Sequence, residues 1–256
     1  MKKKNIVTRK KIGISELDIN NLKKIKLGNY IRKNNFFDFS KVIVKKPWGF
    51  EFLLYQNRKL AIWILHLRKN HKTSFHCHFN KKTLLFVLKG SISFKTLEFF
   101  KKYKEGGFIE IDKKVFHQSK SISKLGSIVL ELESPVNKND LVRLHDDYGR
   151  TGIGYESRYK KINNINKLKN DLISKKIFIS KPSKNNIKNR NFFSHLIILR
   201  GGLSLSNRKY KIGNIITNVS INKHENIKIL KNSLFLFIKK HYAIKNDKIN
   251  NILNSI

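Results

Sequence analysis

The sequence predicts an all-β protein: an antiparallel double-sheet jelly roll over residues 42–150, followed by a second, degenerate β-domain of the same kind over residues 181–256. Two observations carry this. From Val42 onward short apolar runs follow one another, VIVKKPWGF, LAIWILHL, TLLFVLKGSISF, GFIEI and SIVLELE, with brief Gly, Asn and Lys breaks between them. Strand after strand without crossover helices favours antiparallel sheets over a parallel α/β arrangement. The pattern then recurs, because HLIILRGGLSLSNRKYKIGNIITN parallels TLLFVLKGSISF with its later GGFIEI, and SLFLFIKK parallels SIVLELES.

In chain order, residues 1–41 form a basic arm with one short helix in SELDINNLKKIKL, where Ser15 caps and Leu17, Ile19, Leu22 and Ile25 are spaced roughly helically. Residues 42–150 make the first β-domain. Residues 151–180 are a linker, TGIGYESRYKKINN, leading into a helix expected over 162–175. The degenerate second domain follows. His195 and His224 stand alone there, so that half is expected to carry no metal.

Composition narrows the function classes. The chain has 256 residues, 40% apolar with 18 Phe, enough to bury a core in one or two domains. It offers no apolar run long enough to span a membrane, and its start, MKKKNIVTRKK, lacks the apolar segment of a signal peptide, so a cytoplasmic protein is expected. A single cysteine excludes an intramolecular disulfide. The net charge of +38 raises nucleic acid as a partner. Against it, the lysines are spread through every segment, and no nucleic-acid-binding signature is visible. A basic surface also suits phosphorylated or nucleotide-linked sugars.

The chemistry concentrates in FHCHFNKKTLLFVLKG, residues 75–90. On an extended strand alternate side chains share a face, so His76 and His78 point one way and Phe75 and Cys77 the other. Cys77 therefore reads as core. His117, after a further strand-like run, is a third imidazole, and imidazole is the commonest nitrogen ligand for transition metals. Two strands would then supply three ligands. Two histidines so spaced, taken alone, would more readily be surface residues of an edge strand; here Gly90, Gly106 and His117 follow them at a set spacing.

That joint spacing resembles the cupin superfamily, whose double-stranded β-helix is a jelly-roll barrel. In the superfamily's pattern the metal-ligating Glu falls here on Thr83, while Asp112 and Lys114 stand where Pro and Gly are usual. A narrower resemblance flanks it. Lys46-Pro47-Trp48-Gly49 is similar to the opening motif, and DLVRLHDDYGR, residues 140–150, to the closing motif, of type II mannose-6-phosphate isomerases and of the isomerase domain of mannose-1-phosphate guanylyltransferases.

The resemblance implies a divalent metal ion, Zn, Fe, Mn or Ni, on His76, His78 and His117, and a phosphorylated or nucleotide-linked sugar as substrate, in surface-polysaccharide or nucleotide-sugar metabolism. Proton transfer between adjacent carbons needs a base. Glu131 and Glu133 alternate with Leu130 and Leu132, so both face either the cavity or the outer side of the sheet; the family's corresponding segment favours the cavity. Arg143 and Arg150 are the expected phosphate ligands, with Trp48 stacking on the sugar; Lys81 and Lys82 read as a solvated loop or as a phosphate-attracting rim, Lys82 being the substrate-binding candidate. Asp146 and Asp147 are expected to orient the arginines or to satisfy a turn, and Trp63 to belong to the core. A homodimer through sheet edges is also expected. Two alternatives stand beside the isomerase-like reading: a non-catalytic carbohydrate-binding cupin, and a three-histidine iron dioxygenase, which the same ligands would serve.

Overall fold

The computed structural model describes residues 9–25, 37–152, 155, 159–161, 176–189, 191–221 and 225–239. The helix expected over 162–175 and His224 lie outside the described residues. The chain divides into two compact units, residues 1–163 and 164–256. Both are built from β-sheet, as the run of strands without crossover helices predicts.

The first unit begins with β1 (Arg9–Ile12) and α1 (Glu16–Lys24), then β2 (Val42–Lys46), β3 (Gly49–Gln56), β4 (Ala61–Leu67), β5 (Phe75–Cys77), β6 (Lys82–Lys89), β7 (Ser91–Thr96), β8 (Phe100–Lys104), β9 (Phe108–Ile111), β10 (His117–Ser121), β11 (Ser127–Ser134), β12 (Val142–His145) and β13 (Tyr159–Lys161). One sheet runs β1-β9-β6-β11-β4-β3-β2-β13, the other β12-β5-β10-β7-β8. From β9 to β12 the chain passes from one sheet to the other at every strand, which is the winding of a double-stranded β-helix. The central β4 and β6 are apolar along most of their length, as strands buried on both faces must be, and β4 is buried at every position. The edge strand β8 instead exposes Lys101, Lys102 and Lys104, like charges that discourage pairing with another chain.

The basic arm is stitched to this unit. Strand β1 pairs in parallel with β9, and α1 starts in a capping box in which Ser15 Oγ accepts from the Asp18 amide while the Asp18 carboxylate accepts from the Ser15 amide. Asp18 also accepts from the Phe116 amide at 2.8 Å, one residue before His117. Leu22 and Ile25 pack on Phe75, Cys77, Phe116 and Val142. The helical spacing of apolar residues misled in one respect: Leu17 and Ile19 are exposed, and the second buried residue of the helix is Asp18.

The second unit contains β14 (Ile177–Ser180), α2 (Lys184–Lys188), β15 (His195–Arg200), β16 (Leu203–Leu205), β17 (Arg208–Tyr210), β18 (Ile215–Thr217), β19 (Ile227–Ile229) and β20 (Leu234–Ile238). Its sheet orders, β14-β20-β15-β18 and β17-β16-β19, match the segments β4-β11-β6-β9 and β8-β7-β10 of the first unit strand for strand. The glycines repeat too. Gly90 and Gly201 both end the central strand with φ of 77° and 74°, and a Cβ there would come within 2.8 Å of the Gly126 carbonyl and 2.2 Å of Ser233 Oγ, respectively. Only glycine fits either place. No helix among the described residues is long and apolar enough to cross a membrane.

Candidate metal centre

Between the two sheets of the first unit lies a cavity of about 60 Å³, lined among others by His76, His78, His117, Glu131, Glu133, Arg143 and Arg150. Its histidines are delivered by strand register. In the five-stranded sheet His117 of β10 is the direct partner of His76 of β5, so both imidazoles stand on the same face. His78 follows just beyond β5. The ligand nitrogens of all three lie within 4.8 Å of one another, and among the described residues they form a group able to hold a metal ion.

Hydrogen bonds settle which nitrogen faces inward. Nδ1 of His76 lies 2.8 Å from the Ser74 carbonyl, Nδ1 of His78 2.6 Å from that of Asp140, and Nδ1 of His117 2.9 Å from that of Val115. A carbonyl only accepts, so each Nδ1 carries the proton and each Nε2 keeps its lone pair, the arrangement found around bound metals. His78 Nε2 is buried without a hydrogen-bond partner. Burial keeps the rings neutral: it drives His76 and His78 well below the ordinary imidazole value and His117 down to about 4, and the ammonium of Lys81 pushes all three the same way. An orphaned buried nitrogen and three neutral, correctly tautomerised imidazoles fit a divalent ion.

The two glutamates face the cavity, resolving the alternation that the sequence left open; Leu130 and Leu132 are buried on the opposite face of β11. Their environments differ. Glu133 is held by Lys81 Nζ at 2.6 Å and by Trp63 Nε1 at 3.1 Å. Burial alone would raise its pKa, but Lys81 and Lys138 overcome this and bring it below the ordinary value. Glu131 has its pKa raised, first by burial and then by the nearby Glu133 and Glu51 carboxylates, with Lys138 opposing. Two carboxylates side by side are thus pushed apart in acidity, as groups with different proton-transfer roles are.

Thr83 is registered opposite Glu133 across β6 and β11, so it faces the interior, yet it is not among the residues lining the cavity, and its buried Oγ1 has no partner. Arg143 is the register partner of His76 across β5 and β12, is buried, and lines the cavity. Arg150 lines it too, but its guanidinium grips Asp146 through two bonds, Nε to Oδ2 at 3.0 Å and Nη2 to Oδ1 at 2.7 Å. Trp48 is buried against the core and borders the cavity. Lys82 is elsewhere: it is exposed, pairs with Asp112 at 2.7 Å and takes no part in the lining. Alternation along β6 turns it outward, and its neighbour Lys81 occupies the cavity instead. Asp147 pairs with Lys72 at 2.7 Å and orients no arginine. Cys77 packs in the apolar cluster beneath α1, where burial pushes its thiol up.

Several site residues escaped the sequence reading. Asp140 accepts from the amides of Phe79, Asn80 and Lys81 at 2.7 to 2.9 Å while its carbonyl holds His78. The opening residue of DLVRLHDDYGR therefore clamps the loop behind the histidine pair, and its position at the head of that motif was the available signal. At the other end, Glu51 binds Lys138 at 3.0 Å, Lys46 at 3.5 Å and the hydroxyl of Tyr155. Burial raises its pKa, but the two lysines more than reverse this and hold it at about 2. Lys138 lies 3.7 Å over the Trp63 ring. Lys46 heads the opening motif and Lys81 stands beside Lys82 after the histidine pair, but lysine is so common in this chain that nothing ranked Lys81 above Lys82 or distinguished Lys138 in advance.

No protein-family profile and no curated protein matches the chain. Solved structures resemble it at the level of fold. KdgF from Halomonas sp. is 13% identical at a TM-score of 0.35, covering 41% of this chain and 94% of that one. An RmlC-like cupin from Shewanella frigidimarina is 16% identical at 0.36, covering 42% and 96%. A cupin-superfamily sugar phosphate isomerase from Silicibacter pomeroyi is 11% identical at 0.35, covering 44% and 75%.

Proposed function

We propose that the first unit is a metal-binding cupin that acts on a phosphorylated or nucleotide-linked sugar in the manner of mannose-6-phosphate isomerases, and that His76, His78 and His117 hold its divalent ion. The supporting observation is the convergence of three Nε2 lone pairs in a cavity that also contains two carboxylates of opposed acidity. A bound divalent ion supplies Lewis-acid polarisation of a carbonyl oxygen. Glu131, the carboxylate kept weakly acidic, takes the proton from one carbon and returns it to the next. Glu133, fixed by Lys81 and Trp63, holds charge and shape. Arg143 faces the anionic end of the ligand, Arg150 flanks it while bracing Asp146, and Trp48 borders the ring.

Thr83, which stands in the sequence where the superfamily pattern has its ligating Glu, favours a second reading, a non-catalytic carbohydrate-binding cupin in which the same residues bind without turnover. Metal-replete protein incubated with mannose 6-phosphate in deuterated water separates the two. Isomerisation with deuterium incorporation, lost in Glu131→Gln with metal content unchanged, supports catalysis. Saturable binding without exchange supports the module, and absence of metal after His78→Ala alone, with His195→Ala unaffected, assigns the ion. A wild-type protein that takes up no divalent metal overturns both readings.

A further inference from the structure

His117 reaches the cavity at the end of a loop, residues 112–116, that joins β9 to β10. The N-terminal arm holds this loop at both ends: the Ile12 carbonyl accepts from the Asp112 amide at 3.0 Å, and the Asp18 carboxylate accepts from the Phe116 amide at 2.8 Å. Between those anchors the loop serves the metal centre twice. The Lys114 amide donates to the His78 carbonyl at 2.7 Å, and the Val115 carbonyl accepts from Nδ1 of His117, which fixes that ring's tautomer. Helix α1 also packs Leu22 and Ile25 with Phe75 and Cys77, the neighbours of His76 on β5.

A local role does not account for Asp18. The carboxylate of a capping box needs only the donors of its own helix end and can stay in water, yet Asp18 is 2% exposed and takes a third hydrogen bond from a residue 98 positions away. Its charge is felt at the ligand as well: burial draws His117 down to about 4, while the Val115 carbonyl and then the Asp18 carboxylate act in the opposite sense. A field that favours positive charge on the ring also favours a metal cation at its Nε2.

We infer that Asp18 is a positioning residue of the metal centre: through the Phe116 amide it fixes the loop that presents His117, so that docking of the arm and binding of the divalent ion strengthen each other. The inference rests on the metal site proposed above. Coupling is reciprocal, so the factor by which the docked arm tightens the ion is the factor by which the ion tightens the arm.

The test is the Zn²⁺ affinity of the full chain by chelator competition, read beside hydrogen exchange of the arm amides with and without Zn²⁺. Asp18→Ala weakens Zn²⁺ binding by about ten-fold or more, the usual effect of removing an outer partner of a ligating histidine. Asp18→Asn keeps an oxygen for the Phe116 amide and recovers part of the loss. Ser15→Ala is the control: it weakens the helix cap but leaves the bond from Phe116 to Asp18, and its Zn²⁺ affinity stays close to that of wild type. In wild type, Zn²⁺ slows exchange over residues 16–25. In Asp18→Ala that slowing is lost while the buried amides of β4 still gain protection from the ion, a pattern that a general loss of stability does not produce. Should Asp18→Ala show no cooperative melting transition, the wild-type exchange decides alone, and arm amides that Zn²⁺ leaves unchanged overturn the inference. Unaltered Zn²⁺ affinity in Asp18→Ala, or an equal loss in Ser15→Ala, overturns it too and leaves the metal site standing; absence of Zn²⁺ binding by wild type overturns the metal site and the positioning role with it.

Discussion

The two units share a strand order and differ in what fills the space between their sheets. In the first, β11 places Glu131 and Glu133 against the cavity. In the second, β20 aligns by Ser127 with Ser233, which puts Phe237 and Lys239 at those positions; Phe237 joins Leu196, Ile198, Leu203, Leu205 and Phe235 in an apolar core. Among the described residues the strand bearing His76 has no counterpart there: α2 occupies the stretch before β15 and buries Ile187. The register of β10 on β7, compared with that of β19 on β16, places Glu225 where His117 stands, and Glu225 pairs with Arg208 at 2.5 Å. One copy thus spends its interior on polar groups that need partners, and the other closes it with phenylalanine and aliphatic side chains. The difference shows that a β-helix of this order folds around either filling, so the site is an addition to the fold.

Exchanging the fillings gives the largest effects. Phe237→Glu leaves a buried carboxylate among apolar side chains and a lost aromatic contact, and should cost about 5 kcal/mol or more; a denaturant midpoint like that of wild type would mean that the second core is not closed. In the first unit, Lys81→Met takes from Glu133 its hydrogen-bonded cation and leaves only the field of Lys138, which should cost about 3 kcal/mol, while adding Glu133→Leu should restore most of it. If the double variant is no better than the single one, the pair is not coupled as its 2.6 Å distance implies.

The polar filling should also make stability depend on acid. The folded-state pKa of Glu51 is depressed from 4.5 to about 2, so the unfolded chain binds its proton more readily. That contribution is fully present above pH 4.5 and is lost as pH falls toward 2. Glu51→Gln should flatten the melting temperature over this window relative to wild type; parallel curves would remove Glu51 as a source. The smallest effect concerns Lys114, where the superfamily pattern has glycine and the backbone keeps the left-handed φ of 65°. Lys114→Gly relieves strain of about 1 kcal/mol and loses the contact of Lys114 with the Phe79 ring, for a net gain of about 0.5 kcal/mol. A measured loss would show that the ring contact outweighs the strain.

Much of the fold was legible because it rests on local patterns. Alternation and the lack of helical stretches long enough for crossovers announce antiparallel sheets, the glycines at 90 and 201 mark where the central strand must turn, and the serine-led strands expose the repeat. His76 and His78 were legible as a pair because i and i+2 share a strand face by covalent geometry. The place of His117 rested on spacing, and its confirmation needed register, since only pairing across strands brings residues forty positions apart to one point.

The partners of charge were not legible. Lys81 and Lys82 are adjacent and identical in type, and nothing local says which is buried on Glu133 and which reaches Asp112 in solvent. The same holds for Glu131 and Glu133, equal in the sequence and opposed in acidity once Lys81 and Trp63 have chosen one of them. By itself the sequence determined the strand succession, the duplication and the histidine pair, all consequences of backbone periodicity. Only the tertiary structure decided the tautomers, the Asp140 clamp, the exclusion of Lys82 and the pairing of buried charges around the candidate metal centre, because hydrogen bonds and electrostatic fields depend on distances between strands that are remote in the chain.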